Sequence, residues 1–225
     1  ADDYGDPTRP LSPITLLGPR NGTFSGMVVL SSDRPIAGVK ATMSDLSGPG
    51  SIPASAAQVR YCLDADINNG ANRPAFVYEM ISPVPPAEAA VRKPAPGTRT
   101  PPDAVAPGAL VPVLVSVAVP PDAQAGQYEG RLTVSADGFA PQSVPVRLRV
   151  IDLALPKPTE LRPYIGLYQS PTSLALQYNV QEWSEKHWEL MAQSMALLGQ
   201  VGADIVNIPV VDQTQFGNDD GMITW

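Results

Sequence analysis

EWSEKHWELMAQSMALLGQVGADIVNIPVV (182–211) reads unlike anything upstream of it. Trp188, Met191, Met195, Leu198 and Val201 recur at three- and four-residue spacings, and Leu190 and Leu197 widen the stripe. A helix so patterned is meant to lie against a sheet. Ser184 is placed to cap it, and Glu185 sits in the first turn, where the helix dipole favours an acid. Gly202 is placed just past its end. ADIVNIPVV (203–211) follows as an unbroken apolar run, the pattern of a strand buried on both faces. On the other side, RPYIGLYQS (162–170) reads as a buried strand, with an irregular stretch between it and Ser184. Strand, crossover helix, strand is the repeating unit of a parallel sheet.

Working outward, Leu155-Pro156-Lys157-Pro158 stops any regular element and marks a domain hinge. A closed (β/α)8 barrel takes roughly 200 to 250 residues, and the tail supplies only about one and a half of its eight repeats. Residues 156–225 are therefore expected to be the first strand-helix-strand of a truncated (β/α)8 barrel.

Residues 1–155 carry a different signal. Short alternating runs bounded by Pro, Gly and Asp lie at 23–33, 36–46, 57–63, 75–81, 110–119, 126–137 and 142–152. In the last two, Tyr128, Leu132 and Val134, then Val144, Val146, Leu148 and Val150, fall on one face. Glu129, Arg131, Thr133, Arg147 and Arg149 fall on the other. Ala136-Asp137-Gly138 supplies the turn, giving a hairpin with one wet face. Pro112 and Pro145 suggest edge strands or bulges. The segment 82–108, with eight prolines and no periodicity, reads as a long extended connector. The fold class expected is mainly β: an immunoglobulin-like antiparallel β-sandwich followed by an incomplete β-α-β segment of a (β/α)8 barrel.

Composition narrows the function. The 225 residues are 44% hydrophobic, and the net charge of −7 with no clustered Lys/Arg stripe argues against a nucleic-acid partner. No run approaches the roughly 20 apolar residues of a membrane span. The N-terminus lacks a signal-peptide pattern and reads as a polar, extended lead-in. The single cysteine, Cys62, excludes an internal disulfide and a cysteine-based metal cluster; in VRYCLD it reads as a small core residue.

Longer phrases carry a resemblance. PRNGTFSGMVVLSS, PIAGVKATMSDLSGPG, IPASAAQVRYC, VAVPPDAQAGQYEGRLTVSADG and VPVRLRVIDLALP lead in order to SPTSLALQYNVQEWSEKHWELM and GMITW. Over nearly its whole length the chain resembles the N-terminal portion of glycoside hydrolase family 123, in which a β-sandwich precedes a (β/α)8 catalytic barrel. The resemblance implies a β-N-acetylgalactosaminidase-like activity with substrate-assisted retention. The sugar's 2-acetamido oxygen attacks its own anomeric carbon, an Asp orients that group, and an adjacent Glu protonates the leaving oxygen. This sequence has no adjacent Asp-Glu pair, and Asp219-Asp220 in GNDDG reads as a turn. No catalytic residue is carried over, and the chain alone is expected to lack catalysis.

Barrel sites form at the C-terminal ends of strands, which makes Tyr168, Gln169 and Ser170, and Asp212 and Gln213, the substrate-binding candidates. His187, the only histidine, cannot build a metal site or a catalytic relay by itself; a contact with Trp183 or with the sandwich is the plainer reading. Trp183 and Trp188 have the chemistry to stack on a sugar, although aromatics at helical spacing are usually core. Asn21-Gly22-Thr23 reads as a turn before a strand, and Asp64, Asp66, Asn68 and Asn69 lack the spacing of a calcium loop. No cofactor and no metal are expected. The expected partner is a glycan engaged by the full-length barrel. Association with the missing barrel portion or with a second copy is left open. The location expected is secreted or periplasmic, in a bacterium. The rival reading is a non-catalytic carbohydrate-binding or structural sandwich module of an extracytoplasmic protein.

Overall fold

The computed structural model describes residues 11–63, 80–91, 108–161, 164–166, 170–205 and 211–212. The chain divides into two compact units, 1–155 and 156–225, and the first is mainly β. Its strands are β1 (Ile14–Arg20), β2 (Thr23–Ser32), β3 (Ile36–Ala37), β4 (Lys40–Met43), β5 (Leu46–Ser47), β6 (Ser51–Ile52) and β7 (Ala57–Leu63). They continue with β8 (Met80–Ser82), β9 (Glu88–Ala89), β10 (Ala109–Ala118), β11 (Gly126–Ala136) and β12 (Phe139–Ala154).

One sheet runs β1-β12-β11-β5-β6, with β4 also paired to β11; a second runs β2-β10-β7-β8, and β3 pairs with β9. The reason these runs form strands is visible in their alternation. Leu132, Val144, Val146 and Leu148 are buried from the first sheet, and Val113, Val115, Val117 and Tyr61 from the second, in one continuous cluster. Removing that apolar area from water stabilises the unit by roughly 25 cal/mol per Å². Two tyrosine hydroxyls tie off backbone groups at its rim. The Ala41 N–H donates to the Tyr61 hydroxyl (3.1 Å), and the Tyr128 hydroxyl donates to the Gln124 carbonyl (2.9 Å). On the wet face Arg147 pairs with Glu129 directly across the β11–β12 ladder, at 3.5 Å.

Several expectations are corrected. β10 and β12 are not edge strands, since each is flanked on both sides. The prolines sit where one flank has run out: Pro112 pairs with Val29 of β2, one residue beyond the last β7 pairing at Val113. Pro145 pairs with Arg131 of β11, one residue before β1 joins at Val146. Locally each proline has an edge-strand neighbourhood inside a central strand.

The first sheet is not wholly antiparallel, because β1 pairs parallel to β12, Ile14 opposite Val146 through Pro19 opposite Ile151. This strand was not expected. It places Ile14 and Leu16 in the core, and the Phe24 ring lies directly against Gly18, where any side chain would collide with it. The run 36–46 is three short strands, broken at Gly38, whose φ of +62° lies in the left-handed region. The proline-rich segment contributes β9 as far as it is described; residues 92–107 lie outside the described residues, as do Asp64, Asp66, Asn68, Asn69 and the start of the run at 75–81. Asn21 does form the turn between β1 and β2, with φ +60° and its side chain donating to the Leu155 carbonyl.

In the second unit, β13 (Ile165–Gly166) is followed by α1 (Pro171–Tyr178), α2 (Glu185–Gln200) and β14 (Ala203–Ile205). β13 and β14 pair parallel, Ile165 opposite Ala203. The helix begins at the cap expected, the Ser184 side chain accepting from the His187 N–H, and Gly202 (φ +82°) follows it. Three readings are corrected. The stretch taken as irregular holds α1. Tyr164 and Ser170 lie outside β13. In β14, Asp204 and Ile205 are exposed rather than buried on both faces.

Candidate functional site

Because β13 and β14 are parallel, the chain leaves both at the same end of their sheet, and the substrate-binding candidates follow those exits. Ser170 comes after β13 and caps α1, its Oγ accepting from the Ser173 N–H at 3.1 Å, with Pro171 at the first helical position. Proline suits that position because the N–H it lacks would have had no partner inside the helix. Ser170 thus has a structural use at the exit of β13. Asp212 follows the bridge residue Val211 and is half-buried. Tyr168, Gln169 and Gln213 lie outside the described residues, as do Asp219 and Asp220.

The best-defined cluster in this unit is built around His187, which is fully buried. Its Nδ1 accepts the backbone N–H of Trp183 at 2.9 Å, and its Nε2 lies 2.9 Å from the Pro171 carbonyl. An N–H can only donate, so Nδ1 carries the lone pair; the neutral ring then holds its proton on Nε2 and donates to Pro171. One imidazole therefore ties the start of α1 to the turn before α2. That turn is strained: Trp183 has φ +61°, a region bulky residues seldom adopt. The Trp183 ring meets His187 edge-on at 5.6 Å and tilts 49° against Trp188 at 5.7 Å. Beside them Lys186 and Glu189 form an exposed ion pair at 2.8 Å.

His187 makes the contact with Trp183 that the sequence suggested. The two tryptophans do not form core as helical spacing implied: Trp183 is 46% and Trp188 53% exposed. The buried side of α2 is His187, Leu190 and Met191, so the stripe in contact is rotated from the one read by hydropathy. Sequence reasoning missed α1, although Ser170-Pro171 is a cap followed by a first-turn proline, a recognised start signal. Asn179, left-handed at φ +49°, ends that helix.

Among the described residues no group of three or more His, Cys, Asp or Glu is placed to hold a metal. Cys62 is half-buried in β7, and burial pushes its thiol up from its ordinary value, which disfavours the reactive thiolate. Among the same residues no helix is long and apolar enough to cross a membrane. The sequence holds no adjacent Asp-Glu pair.

Residues 168–225 match the family model described as Glycoside hydrolase 123, catalytic domain. No curated protein matches the chain. Among solved structures, the chain is similar to a family 123 glycoside hydrolase from Clostridium perfringens, solved in a study of glycolipid glycan hydrolysis. The TM-score is 0.67 at 17% identity, over 96% of this chain and 37% of that one. The chain thus spans little more than a third of that enzyme's length. By these comparisons residues 168–225, which begin just after β13 and contain β14, are similar to the catalytic domain of glycoside hydrolase family 123, and the chain shares its fold with a member of that family.

Proposed function

We propose that the chain is the N-terminal part of a glycoside hydrolase acting on N-acetylgalactosamine-type glycans. In this reading 1–155 is an immunoglobulin-like accessory sandwich, and 156–225 opens a (β/α)8 barrel whose catalytic carboxylates come later. The observation that carries it is the match of 168–225 to a catalytic-domain family, beginning just after β13 of a parallel β13–β14 pair. Tyr128 supports the sandwich assignment: a tyrosine early in a strand, bonded to a backbone carbonyl four residues upstream, is a corner device of immunoglobulin-like sandwiches. Its partner is the glycan, and an extracytoplasmic bacterial location belongs to the same proposal.

The mechanism proposed for the full-length enzyme is substrate-assisted. The acetamido group supplies the nucleophile, so the protein provides one carboxylate to orient it and one acid for the leaving oxygen. Neither is assigned to a residue of this chain. The role of 156–225 is to position strand ends on the sugar-binding side. Ser170 shapes the exit of β13 by capping α1.

The test compares two polypeptides on an aryl N-acetyl-β-galactosaminide. The 225-residue chain should hydrolyse it no faster than buffer. The uninterrupted reading frame containing it should be active and should supply an adjacent Asp-Glu pair beyond Trp225. Turnover by the 225-residue chain, or an inactive full-length product, contradicts the proposal.

A further inference from the structure

We infer that Trp183 and Trp188 form a single bent aromatic platform that stacks on the apolar face of a pyranose ring, as a subsite apart from the catalytic carboxylates; this rests on the glycan reading above. The rings are 5.7 Å apart at 49°, within the range of aromatic pairs in contact, so no sugar enters between them and the two present one surface. Both are about half exposed. Trp183 reaches that position through a left-handed backbone that L-residues seldom adopt. The buried His187 holds it there by accepting its N–H. Strain maintained by a dedicated buried contact is characteristic of ligand clamps and active sites.

Topology puts the platform at a useful end. Only Val201 and Gly202 separate α2 from β14, so the first turn of α2 lies at the opposite end from the start of β14. In a parallel β-α-β unit that is the end at which the strands finish, where barrel sites form. The apolar rings meet the C–H face of a sugar, while its hydroxyls remain near Glu182 and Glu185, which flank the same turn. The exposed aliphatic residues further along α2, Met195 and Leu197, have neither the aromatic faces nor this placement.

The test follows the indole N–H signals of the 225-residue chain by NMR during titration with N-acetylgalactosamine. Glycerol serves as the polyol control. The signals of Trp183 and Trp188 should shift saturably with the sugar and not with glycerol. Trp188→Ala, on an exposed helix face, should weaken binding about tenfold, close to 1.4 kcal/mol, while Met195→Ala leaves it unchanged. Indoles silent to the sugar, equal shifts with glycerol, or equal weakening by Met195→Ala would each overturn the platform. An active full-length enzyme with silent indoles rejects the platform alone, whereas an inactive one rejects the hydrolase reading.

Discussion

In β10 the inward valines Val111, Val113, Val115 and Val117 are at most 1% exposed, whereas along α2 Trp188 is 53% and Leu197 62% exposed. β10 is the more apolar of the two segments, but α2 also carries large apolar side chains, and these differ from the valines in their neighbours. β10 has a paired strand on each side and shares its core with a second sheet. Among the described residues β13 and β14 pair only with each other, and α2 buries His187, Leu190 and Met191. Hydrophobic residues are not hidden by being hydrophobic; they are hidden when enough layers surround them. The first unit has such layers. Among its described residues the second shows two helices and a two-stranded sheet, and its most deeply buried side chain is a histidine with both nitrogens bonded.

The contrast is broken most severely from the inside of the first unit. Leu132→Ala removes a fully buried side chain at the centre of β11 and should cost about 2 to 5 kcal/mol, read from urea unfolding followed at Tyr61 and Tyr128. A loss below 1 kcal/mol would mean the core collapses around the gap. His187→Ala should cost the second unit about 1 to 3 kcal/mol, because it leaves the Trp183 N–H without its acceptor. Hydrogen exchange at α2 would report it, with β10 to β12 unchanged; His187→Gln, keeping one hydrogen-bonding arm, should recover part of the loss. Ser184→Ala removes the α2 cap and should cost about 1 kcal/mol, visible as faster exchange in the first turn only. Leu197→Ala, on the exposed side, should fall within about 0.5 kcal/mol of the parent. A larger effect would show that Leu197 is covered in solution.

How far the sequence disclosed this follows the same physics. The β11–β12 hairpin was legible because a one-residue slip would turn charged Arg147 and Glu129 inward, so the register is written into the alternation. β1 was not, because its partner lies more than a hundred residues downstream and no local pattern announces a parallel neighbour. Pro112 and Pro145 were misread at the level of the strand, since the rule concerns whether a flank is filled at that residue, and each flank ends one position away. In the second unit the strand-helix-strand order, the Ser184 cap and Gly202 were legible. The face that α2 turns inward was not, because its apolar residues span more than one face and hydropathy cannot choose between Trp188 and Leu190. Of the candidate site, Ser170 is described as a helix cap after β13 and Asp212 as half-buried after Val211, while Tyr168, Gln169 and Gln213 lie outside the described residues. The His187 bridge from Pro171 to Trp183 depends on a backbone turn that no residue spacing encodes.

Amide hydrogen exchange across the intact 225-residue chain measures the two units against each other directly, because protection reports the local free energy of opening. The account predicts that β10, β11 and β12 exchange only through global unfolding of the first unit, while β13, α1, α2 and β14 exchange orders of magnitude faster. Equal protection in both units would contradict it, for the second unit would then hold an apolar core of its own as complete as that of the first.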